Sequence, residues 1–252
     1  MELLILGSGT CAPTPRRTPP GYFLKAGAER IFIDPGPGAI NRLVAAGEDP
    51  LNITCIFISH FHLDHCADII PYLFSYKSCT KPNQRKDINI VASAGFRKFF
   101  DQLAVPYGEW IFSEEYEIAI EEARTDNWKG SGVSFITAPM LHSLNAIGFR
   151  FEADDGSTLV YSGDTAYCQE IINLSKGADT LLIECSMPDN MLVEGHMTPS
   201  GVGQVSVRSE VKKLVLTHIN PQQNIELAMQ TILDCGYKGE IVVAEDGMRL
   251  TI

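Results

Sequence analysis

The chain reads as an α/β protein. Three observations predict this class: short apolar runs recur along it, stretches of helical period separate several of them, and the runs end repeatedly in loops that carry glycine, histidine or an acid. In α/β sheets ligands collect at the carboxyl ends of the strands, so those endings are where chemistry is expected.

Residues 3–6 form a buried strand that leaves through Gly7, Ser8, Gly9 and Thr10 into an exposed loop, 13–21, rich in proline and arginine. Residues 22–26 and 30–34 pair around a turn at Gly27, and the run from Asp34 to Gly38 stops the second strand before a helix over 39–46. An apolar strand at 53–59 delivers a histidine cluster at its end. Helical period then runs from Asp64 to about Tyr76, with a kink expected at Pro71 because proline removes an interior hydrogen bond. A strand over 88–92 and a helix over 94–103 come next, followed by a polar region with strand-like runs to Asp126. Residues 133–138 form a strand leading to His142, and 146–152 pairs with 158–161 across the turn Asp154, Asp155, Gly156. That last strand ends in Ser162, Gly163, Asp164 and Thr165. Strands at 180–184 and 213–216 follow, the second emptying into Thr217 and His218; 224–235 is helical, and 241–244 is a final strand before Glu245, Asp246 and Gly247. The sequence shows no low-complexity tract and no repeat.

A chain of 252 residues fits one large domain or two small ones, and at this size about 70–75% of the unfolded surface can be buried. Apolar residues at 45% and charged residues at 20% are ordinary for a globular protein. No apolar run approaches the roughly 18 residues of a membrane span, so no membrane partner is expected. No secretory leader is visible, and a cytoplasmic location is expected. Seven scattered cysteines without a Cys-x-x-Cys pair argue against a disulfide framework and against a thiolate zinc site; they are expected to be reduced packing residues. The net charge of −11 argues against non-specific coating of nucleic acid, which draws on excess lysine and arginine. It leaves a phosphate substrate open, because divalent cations would dominate the field of a metal site.

His60, His62, Asp64 and His65 put three imidazoles and a carboxylate within six positions at the end of an apolar strand, which is metal-binding chemistry. The remaining histidines, His142, His196 and His218, each lie beside a turn or a strand end. Strand exits thus present His60, His62, Asp64 and His65 together, then Asp164, Glu184 and His218, and His142 follows another exit after Pro139. An α/β core has no packing need for ligand-type residues at so many exits.

This ordered set, His-x-His-x-Asp-His at 60–65, His142, Asp164 in Ser-Gly-Asp-Thr and His218 in Leu-Thr-His, resembles the metallo-β-lactamase-fold hydrolases, and within them the ribonuclease Z-like branch. The match spans nearly the whole length. The resemblance implies a single domain over 1–252, a four-layer αβ/βα sandwich with two mixed sheets flanked by helices and metals in the groove between its halves. It implies two divalent ions, with His60, His62 and His142 on one, Asp64, His65 and His218 on the other, and Asp164 bridging. Imidazole and carboxylate donors suit zinc and are compatible with manganese or iron.

By the same resemblance His196, within Glu194-Gly-His-Met-Thr-Pro, stands over the substrate phosphate as a proton donor, and Glu184 keeps it protonated. The residues alone also allow a histidine at a helix start before Thr198 and Pro199. Asp34 fits two roles, accepting the free N–H of a ligand imidazole or capping the turn before Pro35. Asp246 is expected to support the site or stabilise a loop, with simple turn chemistry as the other reading. Two metal ions lower the pKa of bound water toward ~7, which implies in-line attack on a phosphodiester, with Asp64 accepting the water's proton and His196 protonating the leaving oxygen.

Two departures set the chain apart from members that process transfer RNA. Only 21 residues separate His142 from Asp164, where those enzymes insert a substrate-gripping arm. Their Pro-x-Lys-x-Arg-Asn loop stands here as Pro13, Thr14, Pro15, Arg16, Arg17, Thr18, so Arg16 and Arg17 keep the charge, either to meet a phosphate or sulfate or to remain solvated. The expected substrate is a small or general phosphodiester, with RNA open. A sulfatase or a lactone or thioester hydrolase of the same superfamily is the alternative, and a non-catalytic metal-binding or sensory module is a third reading. Relatives commonly form homodimers, which is therefore an expectation here as well.

Overall fold

A computed structural model of the protein describes residues 1–12, 14–123 and 128–252. Pro13, at the start of the arginine loop, and residues 124–127, including the Asp126 end of the polar region, lie outside the described residues. The strands of the first half are β1 (Glu2–Gly7), β2 (Gly21–Ala26), β3 (Glu29–Ile33), β4 (Cys55–Ile58), β5 (Ile88–Ala92) and β6 (Ile118–Glu122). Those of the second are β7 (Trp128–Lys129), β8 (Val133–Pro139), β9 (Ile147–Ala153), β10 (Thr158–Tyr161), β11 (Thr180–Glu184), β12 (Lys213–Thr217) and β13 (Glu240–Val243), and β14 (Arg249–Thr251) returns to the first.

Among the described residues these strands make two seven-stranded sheets, ordered β14-β1-β2-β3-β4-β5-β6 and β13-β12-β11-β10-β9-β8-β7. In the first, β14, β1, β2 and β3 are antiparallel neighbours and β3 to β6 run parallel. In the second, β7 to β10 are antiparallel neighbours and β10 to β13 run parallel. The two sheets therefore share one wiring, with β14 standing to β1 as β7 stands to β8. This structural repeat is silent in the sequence, because buried strands are satisfied by any apolar residue of suitable size.

Side-chain alternation along each strand builds the layers. In β4, Ile56 and Ile58 join a core with Leu43 of α1 (Ala39–Ala45), Leu73 of α3 (Ile69–Cys79) and Phe100 of α4 (Phe96–Ala104). Cys55 and Phe57 face the opposite sheet, where the Phe57 ring meets Phe135 and Phe149 at centroid distances of 4.8 and 5.2 Å. In β11, Leu182 enters that shared core, while Leu181 and Ile183 pack with residues of α5 (Gln169–Leu174), α6 (Pro199–Ser209) and α7 (Ile225–Asp234). The result is helices, sheet, sheet, helices, the four layers expected. Strands buried on both faces read as continuous apolar runs, which is why β4 and β11 are legible in the sequence.

Two local expectations are corrected. The helix expected from Asp64 to Tyr76 is two helices, α2 (Leu63–Cys66) and α3, and the break falls at Ala67 and Asp68 instead of Pro71. The Asp68 N–H donates to the Pro35 carbonyl at 2.9 Å, and its carboxylate accepts from the N–H groups of Gly38 and Ile40 at the start of α1. Pro71 sits in the first turn of α3, where a missing N–H removes no helical bond. The helices α5 and α6 and strand β14 add to the elements legible in the sequence. In α6 the glycines serve packing: a Cβ on Gly203 would lie 2.7 Å from the Cys235 side chain at the end of α7. No helix among the described residues is long and apolar enough to cross a membrane.

Candidate metal centre

The strand exits bring their ligand-type residues close together. Asp34 follows β3, Ser59 and His60 follow β4, and His62, Asp64 and His65 stand at and within α2. His142, Asp164 and His218 come from the exits of β8, β10 and β12. Nitrogen atoms of His60, His62 and His142 lie within 4.8 Å of one another, as do single donor atoms of Asp64, His65 and His218. Asp164 lies between them, its Oδ2 standing 3.7 Å from His60 Nε2, 3.4 Å from His65 Nε2, 3.8 Å from His142 Nε2 and 3.6 Å from His218 Nε2.

The tautomers follow from the outer hydrogen bonds, each Nδ1 meeting an acceptor. His65 Nδ1–H donates to Asp34 Oδ2 at 2.8 Å, and His142 Nδ1–H donates to the Gly195 carbonyl at 2.9 Å. Ser59 donates its hydroxyl to Asp34 at 2.5 Å, so its oxygen accepts from His60 Nδ1–H at 3.1 Å. Ser186 donates to Glu184 at 2.5 Å, so its oxygen accepts from His218 Nδ1–H at 2.7 Å. Assigned in this way, four rings turn bare Nε2 lone pairs into one small volume. Both His60 Nε2 and His142 Nε2 also face His62 Nδ1 at 3.1 Å, and one nitrogen cannot donate to both.

Lone pairs aimed at each other and at carboxylates need a cation. The buried Nε2 atoms of His65 and His218 and the Oδ1 of Asp164 have no hydrogen-bond partner, which is costly unless something else satisfies them. Donors about 2.0–2.2 Å from one tetrahedral ion stand roughly 3.3–3.6 Å apart, close to the 3.4–3.8 Å separations around Asp164. The residues present therefore fit divalent metal.

Electrostatics agree. Burial opposes charge on Asp164, yet His218 and His65 hold its pKa well below the usual carboxylate range. Burial likewise opposes charge on Asp64, but the hydrogen bond and charge of His218, with the charge of His65, bring it down to about 2. Burial disfavours a proton on His65, and the Asp164 and Asp34 carboxylates override it and raise that pKa well above normal. Burial, aided by the charge of His65, lowers His60 well below normal. The carboxylates thus demand positive charge at the centre, which a divalent ion would supply.

His196 and Glu184 stand beside the cluster. His196 Nδ1 is 3.1 and 3.2 Å from the Glu184 oxygens, and the His196 ring lies 4.8 Å from that of His142. Glu184 is fully buried and fixed by the Thr165 N–H at 2.6 Å and by Ser186. Burial works against a charged His196, but the hydrogen bond and charge of Glu184 prevail and hold its pKa up to about 9.

Of the two roles open to Asp34, the structure places it on the His65 imidazole, where it also accepts from the Ser59 N–H at 2.7 Å and the Tyr161 hydroxyl at 2.6 Å. Asp34 and His218 both hold left-handed backbone, at φ 44° and 54°, a strained geometry that clusters at functional sites. Asp246 ties distant segments together: its carboxylate accepts from the N–H and hydroxyl groups of Ser8 and Thr18 and pairs with Arg42 at 3.2 Å. Arg17 is engaged by the Ser8 hydroxyl at 2.7 Å and the Ala244 carbonyl, whereas Arg16 is exposed.

Ser59, Tyr161, Ser186 and Gly195 are site residues beyond those expected from sequence. Gly195 has φ 81°, and a Cβ there would lie 2.8 Å from His142 Nδ1, so only glycine brings its carbonyl to that ring without displacement.

Comparison with known proteins agrees with this fold. A family model described as "Beta-lactamase superfamily domain" matches residues 29–219. Ribonuclease Z of Mycobacterium bovis (strain BCG / Pasteur 1173P2) is 26% identical over 281 aligned residues, covering 100% of this chain and 98% of that protein. Ribonuclease Z of Methanosarcina acetivorans is 27% identical over 309, covering 100% and 98%. The metallo-β-lactamase fold protein YhfI from Bacillus subtilis matches with a TM-score of 0.85 at 20% identity, over 99% of this chain and 98% of that one. The short form of human tRNase Z matches with a TM-score of 0.76 at 22% identity, over 100% and 99%. These two structures show the shared fold. With the family model spanning most of its length, the chain belongs to the β-lactamase superfamily, and it is a hydrolase similar to ribonuclease Z from end to end.

Proposed function

We propose that the protein is a dinuclear metal-dependent phosphodiesterase that acts on small phosphodiesters or on RNA without a long substrate-gripping arm. The observation that carries this reading is the convergence of four bare Nε2 atoms on Asp164, with the His196–Glu184 pair at the same centre. His60, His62 and His142 would hold one ion, Asp64, His65 and His218 the other, and Asp164 would bridge; zinc is the proposed metal, with manganese or iron compatible. Bound there, such a pair supplies Lewis acidity, lowering the pKa of coordinated water toward ~7 and neutralising phosphoryl charge.

The chain's own residues supply the rest. His196, kept protonated by Glu184, donates its Nε2 proton to the leaving oxygen, the proton a phosphodiester needs when its alkoxide departs. Asp64, ionised across the working pH range at a pKa of about 2, orients water by accepting a hydrogen bond. Asp34, Ser59, Ser186 and the Gly195 carbonyl hold four imidazoles in one tautomer, so none has to reorient during turnover. The alignments to both ribonuclease Z relatives, 281 and 309 positions, run longer than this chain of 252 residues, so those relatives carry residues that this chain lacks.

Hydrolysis of a sulfate ester, lactone or thioester could draw on the same donors, but the His196–Glu184 pair favours a substrate whose leaving oxygen needs a proton. A panel of bis-p-nitrophenyl phosphate, p-nitrophenyl sulfate and a lactone, each with zinc and with manganese, tests this. Turnover of the phosphodiester is expected, and His196→Ala should lower it by about 10²–10⁴ while metal content stays intact. Activity on sulfate or lactone alone would overturn the assignment, and flat activity on all three with metal bound would favour a binding or sensory module. A cytoplasmic homodimer is part of the same proposal, checked by cell fractionation and by sedimentation velocity.

A further inference from the structure

A pocket of about 480 Å³ opens directly beside the cluster. One wall is the ring of His142, whose Nε2 faces the metal-ligand set, and the rest is made by Leu141, Ala166, Leu192 and Val193, with Glu194 at its edge. Its walls are held by the bonds that build the site. Ala166 N–H donates to the Leu141 carbonyl at 2.8 Å, Leu141 N–H donates to Thr165 Oγ1 at 3.1 Å, and the Gly195 carbonyl accepts from His142. The pocket is thus preformed, within the ~300–1,000 Å³ usual for small-molecule sites.

Its lining is apolar where a nucleic-acid groove would be basic. Leu141, Leu192 and Val193 are 57%, 73% and 43% exposed, a cluster of apolar surface that packing does not use and that a ligand would cover. No lysine or arginine is among the lining residues, and Glu194 is the only charge there. A second phosphate placed in this pocket would meet an acid and gain no counter-charge.

We infer that this pocket receives an apolar ester group of the substrate, an aryl or medium-length alkyl chain carried on the phosphorus, with Leu141, Leu192 and Val193 as the residues that set this specificity. The inference rests on the phosphodiesterase reading and names its substrate class: mixed phosphodiesters with one apolar arm, as opposed to polynucleotides. The arm lies along the side chains of Leu192 and Val193 while the phosphoryl oxygens face the histidine cluster, so the pocket fixes which way the substrate enters.

Phosphonates with one anchor and one variable arm separate the two ideas. Methyl-, hexyl- and benzylphosphonate and 3-phosphonopropionate are titrated calorimetrically into zinc-loaded protein, and the last compound carries a second anion in place of a polynucleotide's next phosphate. Benzyl- and hexylphosphonate are expected to bind at least about tenfold more tightly than methylphosphonate, as apolar pocket contacts of this size provide, and 3-phosphonopropionate should bind most weakly. Leu192→Asn combined with Val193→Thr should shrink the benzyl-to-methyl ratio to about twofold, and Leu144→Asn, 99% exposed and outside the pocket, should leave it unchanged. Equal binding of methyl- and benzylphosphonate, or tightest binding of 3-phosphonopropionate, overturns the apolar subsite while leaving the phosphate site standing. Failure of all four to bind sinks both.

Discussion

Replacing Gly195 by alanine should damage the centre through a single contact. Two effects are present. The backbone at φ 81° is left-handed, which costs an L-residue about 1–2 kcal/mol. The added Cβ would also lie 2.8 Å from His142 Nδ1 and 3.3 Å from His142 Cα, so the ring must move and its 2.9 Å bond to the Gly195 carbonyl is lost or bent. That second effect is about 1–3 kcal/mol, the range for a partly buried donor left unsatisfied. Gly156 provides the control, with nearly the same φ, 83°, and nothing within 4 Å of the place an added methyl would take. Gly156→Ala therefore carries the backbone cost alone. Urea melts of the two metal-free variants should differ by about 1–3 kcal/mol. Zinc titrations should show affinity falling about 10–100-fold in Gly195→Ala and holding in Gly156→Ala. Equal stabilities and equal zinc affinities would refute the claim that the Gly195 backbone sets the His142 ring.

Two other perturbations act on the outer partners. In Glu184→Gln the charge that holds His196 up at about 9 is gone while burial still opposes protonation, so its pKa should fall. The basic limb of the pH–rate profile should move downward accordingly; bound cations lower the value in both proteins and keep the order. Because the folded pKa is raised, the wild-type pair stabilises the fold fully below pH 6.5 and loses that contribution as pH rises through about 9, and urea melts across this window should show a slope that the variant lacks. Asp34→Asn sets an amide N–H₂ among donors from Ser59, Tyr161 and His65. Denaturant melts should show a loss on the order of 3 kcal/mol, and zinc titration a further 10–100-fold weakening.

The candidate metal cluster is legible because its chemistry is local: His60, His62, Asp64 and His65 fall within six consecutive positions, and the other candidate ligands stand at strand exits flagged by apolar runs. The residues that orient those ligands are not, since their roles exist only in tertiary contact. Tyr161 reaches Asp34 across 127 positions and Gly195 reaches His142 across 53, and a serine such as Ser59 or Ser186 carries no pattern of its own. Arg17 shows the converse, a charge that the sequence leaves open between a phosphate or sulfate contact and a solvated loop residue and that is held by Ser8 and Ala244 in the fold. The class is legible from doubly buried strands, whereas α6, with Gly201, Gly203 and three serines in eleven residues, has weak helical propensity and owes its form to packing on α7.

Metal stoichiometry on protein purified without chelator, with anomalous scattering from crystals to place each ion, tests the central claim most directly. Two ions per chain are predicted, one among His60, His62 and His142, the other among Asp64, His65 and His218, with Asp164 between them. An empty cluster after dialysis against zinc and manganese, or ions bound only elsewhere, would contradict it.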